Sequence, residues 1–174
     1  MKSIAVVLQG ILQDAARHYT GEDKMSDVQD EPRLLIPSLK PFYDQVIPLS
    51  WLVIRVAVGW NLVVHGWGKI GGPTPGFLKA FVDLGFDPPL PWFWAAFIVE
   101  FIGGIALILG LFTRFFAAAV AIEMLIITVT YWSTGFAWTR RGYEYTLLWG
   151  LVSFAIALRG GGPYSLDRKI GVQL

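Results

Sequence analysis

Three ionisable residues stand inside strongly apolar stretches, where they should cost free energy: Arg55, Glu100 and Glu123. Each costs roughly 2.5–3.5 kcal/mol at the centre of a membrane helix unless it finds a partner or water, so an ion-pair, proton-handling or ligand-binding role is implied. At 1.5 Å per residue, Arg55 lies about 10 Å, Glu100 about 13 Å and Glu123 about 12 Å from the nearer end of its stretch, in the middle third of a bilayer. Glu100 shares an i, i+3, i+4 stripe with Ala96, Gly103, Gly104 and Gly110, and a stripe of small residues is where another helix packs. Arg55, beside Gly59 and Leu62, is the expected counter-ion. Glu123 lies on a stripe with Ala119, Ile127 and Thr130, so the trio carries −1 unless a proton is shared. A second polar set is expected at one mouth of the bundle. Asn61, His65 and Lys69 are spaced four apart on one helix face, and Glu144 opens a later stretch at the same level. With aromatic walls from Trp67 and Trp92, this set would bind the polar head of a quinone or a similar ring compound.

What the chain lacks narrows the chemistry further. Cysteine is absent from the 174 residues, which excludes disulfides, Cys-ligated zinc, Fe–S clusters and covalent c-type haem. Two histidines, His18 and His65, are too few for a three-His metal site or a bis-His haem, and no metal site is expected. No covalent cofactor is expected either; quinone is the candidate ligand. The formal net charge of +1 gives no basic field for nucleic acid.

The elements that must position these residues are membrane helices. Hydrophobic residues make up 55% of the chain and charged ones 16%, well below the usual quarter. Four apolar stretches, 48–66, 92–112, 115–132 and 143–158, are roughly 16–21 residues each, enough to cross about 30 Å of hydrocarbon. The expected fold is an all-α four-transmembrane-helix bundle over 48–158. It is preceded by a polar N-terminal arm, 1–47, and followed by a short Gly-rich tail, 159–174. The arm holds seven of the 13 acidic residues. Its Ile4, Leu8, Ile11, Leu12 and Ala15 are spaced as a short amphipathic helix, with a charged linker from Gly21 to Pro32 and no signal peptide. Residues 110–114 read as a tight hairpin. In the long Gly- and Pro-rich connection 67–91, Phe77, Phe81 and Leu84 recur at helical spacing, as in a short interfacial helix. Arg33, Lys40, Arg114, Arg159, Arg168 and Lys169 flank one side of the bundle against Lys69, Lys79, Arg140 and Arg141 on the other, which places both termini in the cytoplasm.

Arg55, the run His65-Gly66-Trp67-Gly68-Lys69, Glu100 ahead of Gly103-Gly104, the Leu-Gly-Leu-Phe-Thr-Arg turn at 109–114 and the Gly-Gly-Gly-Pro-Tyr-Ser-Leu-Asp run at 160–167 together resemble the DoxX/DoxD-like family of small four-helix membrane proteins. The resemblance covers roughly residues 40–168, and Arg55, His65, Lys69, Glu100 and Asp167 are the positions that match. It implies a multi-pass protein of a bacterial or archaeal cytoplasmic membrane, in a family named for subunits of a thiosulfate:quinone oxidoreductase. Family membership fixes fold better than function. In the Gly-rich run, the simplest role is a turn ending the last span with Asp167 as a cap; the lysine and strand–helix context of a phosphate loop are missing.

The leading expectation is a membrane subunit of a quinone-linked electron-transfer assembly, not catalytic alone. The alternatives are an accessory subunit packed against a larger respiratory or photosynthetic complex, and a small carrier or proton conduit that four helices form only as a homo-oligomer. Expected partners are therefore the lipid bilayer, a larger membrane complex or further copies of the chain, and a quinone.

Overall fold

A computed structural model describes residues 34–173 together with Gln9. The expected amphipathic arm helix and the linker 21–32 lie outside the described residues. Among the described residues the chain is helical, with no strand. After a 3₁₀ turn at Pro37–Leu39 come α1 (Lys40–Trp67), α2 (Pro75–Asp83), α3 (Pro89–Leu109), α4 (Thr113–Thr130), α5 (Glu144–Arg159) and α6 (Leu166–Ile170). Three helical segments are long and apolar enough to cross a membrane: 37–67, 89–109 and 113–130, with mean hydropathies of 1.7, 2.1 and 1.7. α5 is apolar too, and packs along α4, but its 16 residues rise only about 24 Å.

One boundary differs from the sequence reading. Pro48, the first residue of the apolar stretch 48–66, lies inside α1, which begins at Lys40. The connection 67–91 does form a helix, α2. Thr74 caps it by accepting from the Phe77 amide at 3.3 Å, and Pro75 sits at its first position.

The helices pack where side chains are smallest. A Cβ on Gly59 of α1 would stand 2.6 Å from the Gly104 carbonyl of α3, and one on Gly104 would stand 2.8 Å from the Gly59 carbonyl, so neither backbone leaves room for a methyl group. Gly66 meets Phe101 equally closely. Around this contact lies the core of Val58, Leu62, Leu107, Ala117, Val120, Met124 and Ile156.

α3 is not a regular α-helix throughout. Residues Ile98–Ile102 form a π turn centred on Glu100. The inserted residue rotates the remainder of the helix by about 100°, so the stripe assumed from α-helical spacing is split. Ala96 and Glu100 face a cavity, whereas Gly103 packs on the Phe116 ring and Gly104 on α1.

The end of the bundle opposite Glu100 is tied by the Gly-rich run. Gly110 ends α3 at φ +70°, where an added Cβ would lie 2.6 Å from Ser165 and 2.8 Å from the Arg55 guanidinium, so both conformation and space demand glycine. Phe112 also adopts a left-handed conformation, at φ +47°. Asp167 holds this turn across 54 residues of sequence: Oδ1 accepts from the Phe112 amide at 2.7 Å and Oδ2 from the Thr113 amide at 2.9 Å, capping α4. The Asp167 carboxylate thus caps the third long helix rather than terminating the last. Trp51 donates to the Gly160 carbonyl at 2.9 Å, and Arg114 donates to the Leu158 carbonyl at 2.7 Å at the end of α5. Residues 160–167 are therefore part of the packed bundle, with Ser165 and Asp167 buried.

Removing the Asp167 carboxylate leaves two amides without their cap and Phe112 without its restraint. Asp167→Ala should destabilise the bundle by about 2 kcal/mol, read as a lower unfolding midpoint in detergent. A midpoint equal to that of the unaltered chain would mean that the cap contributes nothing.

Candidate functional site

The deep charge set expected from the sequence loses Arg55 and gains Lys69. Arg55 is 1% exposed, yet it does not pair with Glu100. One terminal nitrogen of its guanidinium donates to the Gly161 carbonyl, and the other donates to the Tyr164 carbonyl at 2.7 Å, with Asp167 the nearby opposite charge. The reason is register. With Gly59 against Gly104 in antiparallel helices, Arg55 is level with Gly110, about 15 Å along α3 from Glu100. The cluster Arg55–Glu100–Glu123 is thus corrected: Arg55 belongs to the tail.

Lys69 takes its place. Just past the end of α1 the chain turns, with the Lys69 amide donating to the Gly66 carbonyl at 2.9 Å, and the turn brings the ammonium onto Glu100 Oε2 as a buried ion pair. Each of the two residues is 9% exposed. The Lys69 ammonium also lies 5.9 Å from the centroid of the Phe77 ring, within cation–π range. Glu123, from α4, is within electrostatic reach of both Glu100 and Lys69, and its Oε2 is buried with no hydrogen-bond partner.

These three groups border a cavity of about 550 Å³ lined by α2, α3 and α4. Its walls are otherwise apolar and aromatic: Phe77 and Phe81 from α2, Phe86 from the loop before α3, Trp92 from the first turn of α3, Ile126 from α4 and Tyr131 just past its end. Rings lock the wall together, Phe86 against Trp92 at 5.2 Å and Phe77 against Phe93 at 5.7 Å between centroids. A volume of this size and a lining with few convergent polar groups are what a site for a small ring compound requires.

The remaining expected residues are elsewhere. His65 is exposed and Asn61 partly so, and neither lines the cavity. Glu144 accepts from the Trp138 amide at 3.3 Å, within its own loop. Trp67, expected as a wall, is exposed and packs on Phe101, while Trp92 does line the cavity. The outer-mouth set Asn61, His65, Lys69 and Glu144 therefore does not form as a unit: identical helix faces in sequence are not neighbours once α1 ends at Trp67. Among the described residues no group of three or more His, Asp or Glu side chains is placed to hold a metal ion. The sequence reading misses the aromatic wall of α2 and the Lys69–Glu100 pair. The Gly59–Gly104 register is the available signal, because it sets Glu100 opposite residues near 66 rather than near 55.

Lys69→Met should cost about 3–5 kcal/mol of stability by leaving Glu100 buried without its cation, and adding Glu100→Gln should recover part of that loss. Arg55→Met combined with Glu100→Gln should instead be additive. Recovery in the Arg55 pair and not in the Lys69 pair, in denaturant unfolding of the three single and two double variants, would reverse the assignment.

Residues 50–132 match the DoxX family model. An uncharacterized protein of Haemophilus influenzae is 29% identical over 129 residues, which cover 70% of this chain and 91% of the relative. No solved structure matches the chain. The matched segment, which carries Arg55, Lys69, Glu100 and Glu123, is similar to the DoxX family.

Proposed function

We propose that this chain is the quinone-binding, integral membrane subunit of a quinone-linked electron-transfer assembly in a bacterial or archaeal cytoplasmic membrane. The observation that carries the reading is the buried Lys69–Glu100 pair beside an unpartnered Glu123 oxygen in an apolar, aromatic-walled cavity. A quinone head is a flat apolar ring with oxygens on opposite edges, and the cavity offers complementary chemistry for both parts. The Lys69 ammonium has three N–H donors, of which Glu100 occupies one, so another can serve a ring oxygen. Glu123 Oε2 is the group to meet a hydroxyl on the reduced ring, and the Phe and Trp walls stack on its faces. With no cysteine and two histidines in the sequence, electrons must come from and go to partner subunits.

In this reading α5 also crosses the bilayer, giving four spans with both termini in the cytoplasm. Its apolar length, extended by Tyr143 and Gly160, and the excess of Lys and Arg on the side of Arg114 and Lys169 support that topology. The absence of native cysteine allows a direct check. Single cysteines at the exposed positions Thr74 and Thr139 should react with an impermeant thiol reagent from outside, and one at exposed Lys169 only from inside. Thr139 and Lys169 labelling from the same side would remove the fourth span.

The quinone reading is checked by extraction and by binding. The chain purified in mild detergent should retain quinone. Glu123→Gln, and the paired change Lys69→Met with Glu100→Gln, should each bind a short-chain benzoquinone about tenfold more weakly, the loss of one charge-assisted hydrogen bond. No retained quinone and equal binding by all three proteins would leave an accessory packing role instead.

A further inference from the structure

A second cavity, of about 460 Å³, lies along the seam of α4 and α5, and its lining overlaps that of the first at Ile122. On α4 the two sites occupy adjacent stripes: Ala119, Ile122, Glu123 and Ile126 face the first, and Ala118, Ala121, Ile122 and Leu125 the second. The shared residue, Ile122, is 60% exposed on a membrane-spanning helix, so it forms a low ridge at the lipid side of both.

The chemistry of the two cavities is different. All three charged side chains are in the first. The second is lined by alanine, glycine, leucine, isoleucine and phenylalanine, and its two hydroxyl groups are already satisfied, Thr128 by the Met124 carbonyl at 2.7 Å and by Thr146 at 2.9 Å. No group there calls for a polar ligand. From Ala118 to Thr128 the groove follows α4 for about 15 Å, the length of a flexible hydrocarbon segment rather than of a ring. Small residues at Ala118, Ala121 and Gly150 keep it open; a Cβ on Gly150 would already press to 3.2 Å from Met124.

We infer that the two cavities are one site for an amphipathic lipid, with the ring in the polar cavity and an isoprenoid tail crossing Ile122 into the α4–α5 groove. The inference rests on the quinone reading of the first cavity and adds the class of ligand: a tailed quinone taken laterally from the bilayer, not a water-soluble ring compound. A tail in lipid is already in apolar surroundings, so the groove acts by close packing and by fixing the direction in which the tail leaves the ring.

Two photoreactive benzoquinones with the same multi-isoprene tail test this on the full chain in lipid nanodiscs, one carrying a diazirine on the ring and one at the tail. The ring probe should label residues of the first cavity, and the tail probe should label 118–128 and 147–157, both suppressed by excess unlabelled quinone. Leu125→Trp, which fills the groove from an exposed position, should abolish tail labelling there and leave ring labelling intact; Leu151→Trp serves the same purpose if the first variant does not fold. Ring labelling in the cavity with the tail scattered over the lipid-facing helices, or tail labelling unchanged by the tryptophans, overturns the tail groove and leaves the quinone reading standing. Absence of specific ring labelling overturns both.

Discussion

The contact between Gly59 and Gly104 sets the register on which the rest of the bundle depends. Two helices whose backbones touch cannot slide by a residue without forcing a side chain into a carbonyl, and the cost of an overlap under 3 Å far exceeds that of any one polar contact. Once this point is fixed in an antiparallel pair, each residue on α1 has one level on α3. Glu100 must find its cation beyond the end of α1, and Arg55 must find acceptors at the turn after α3. The charges obey the glycines.

That hierarchy also shows why the fold is more legible in the sequence than the site. Helical membrane segments, the tight turn at 110–114 and the short helix in the long connection arise from local pattern: runs of apolar residues, a left-handed glycine, and Pro75 behind a Thr74 cap. The pairing of Arg55 with Glu100 rests on depth, each residue lying in the middle third of its stretch, and on small residues beside each that mark a helix contact. Depth is measured from apparent helix ends, and those ends are displaced. α1 begins eight residues before Pro48, and Lys69 lies beyond the helix yet reaches a carboxylate counted as deep. The π turn at Ile98–Ile102 has no comparable sequence signature, and it alone moves Glu100 off the stripe of its neighbouring glycines.

The tail illustrates a different failure of local reading. A run of three glycines, proline, tyrosine and serine looks like a solvated end, and its value lies in the carbonyls it can present at close range. Arg55 and Trp51 each donate to carbonyls of this run, and Asp167 returns a carboxylate to the N-terminus of α4. Side chains larger than hydrogen at Gly161 or Gly162 would collide with Ser165 or Trp51, so the glycines are a packing requirement. None of this is visible from spacing, because the partners are more than fifty residues apart.

The two ends of the bundle thus hold buried charge in opposite ways. At the tail, the ends of the guanidinium and both oxygens of the carboxylate meet backbone groups of fixed position, and substituting any of them removes a brace. At the other end Lys69, Glu100 and Glu123 meet one another across a cavity, and one carboxyl oxygen meets nothing. In a low-dielectric interior an unmatched polar atom costs free energy that apolar packing does not return, so a fold optimised for stability alone would have closed this space or paired the atom. Arg55 Nε and Thr113 Oγ1 near the tail also lack a partner, so the ends differ in space rather than in saturation: of these atoms, Glu123 Oε2 is the one beside the 550 Å³ cavity. Asp167 has both oxygens on backbone amides and Arg55 has both terminal nitrogens on backbone carbonyls, whereas Glu123 keeps an unpaired oxygen at the wall of a cavity.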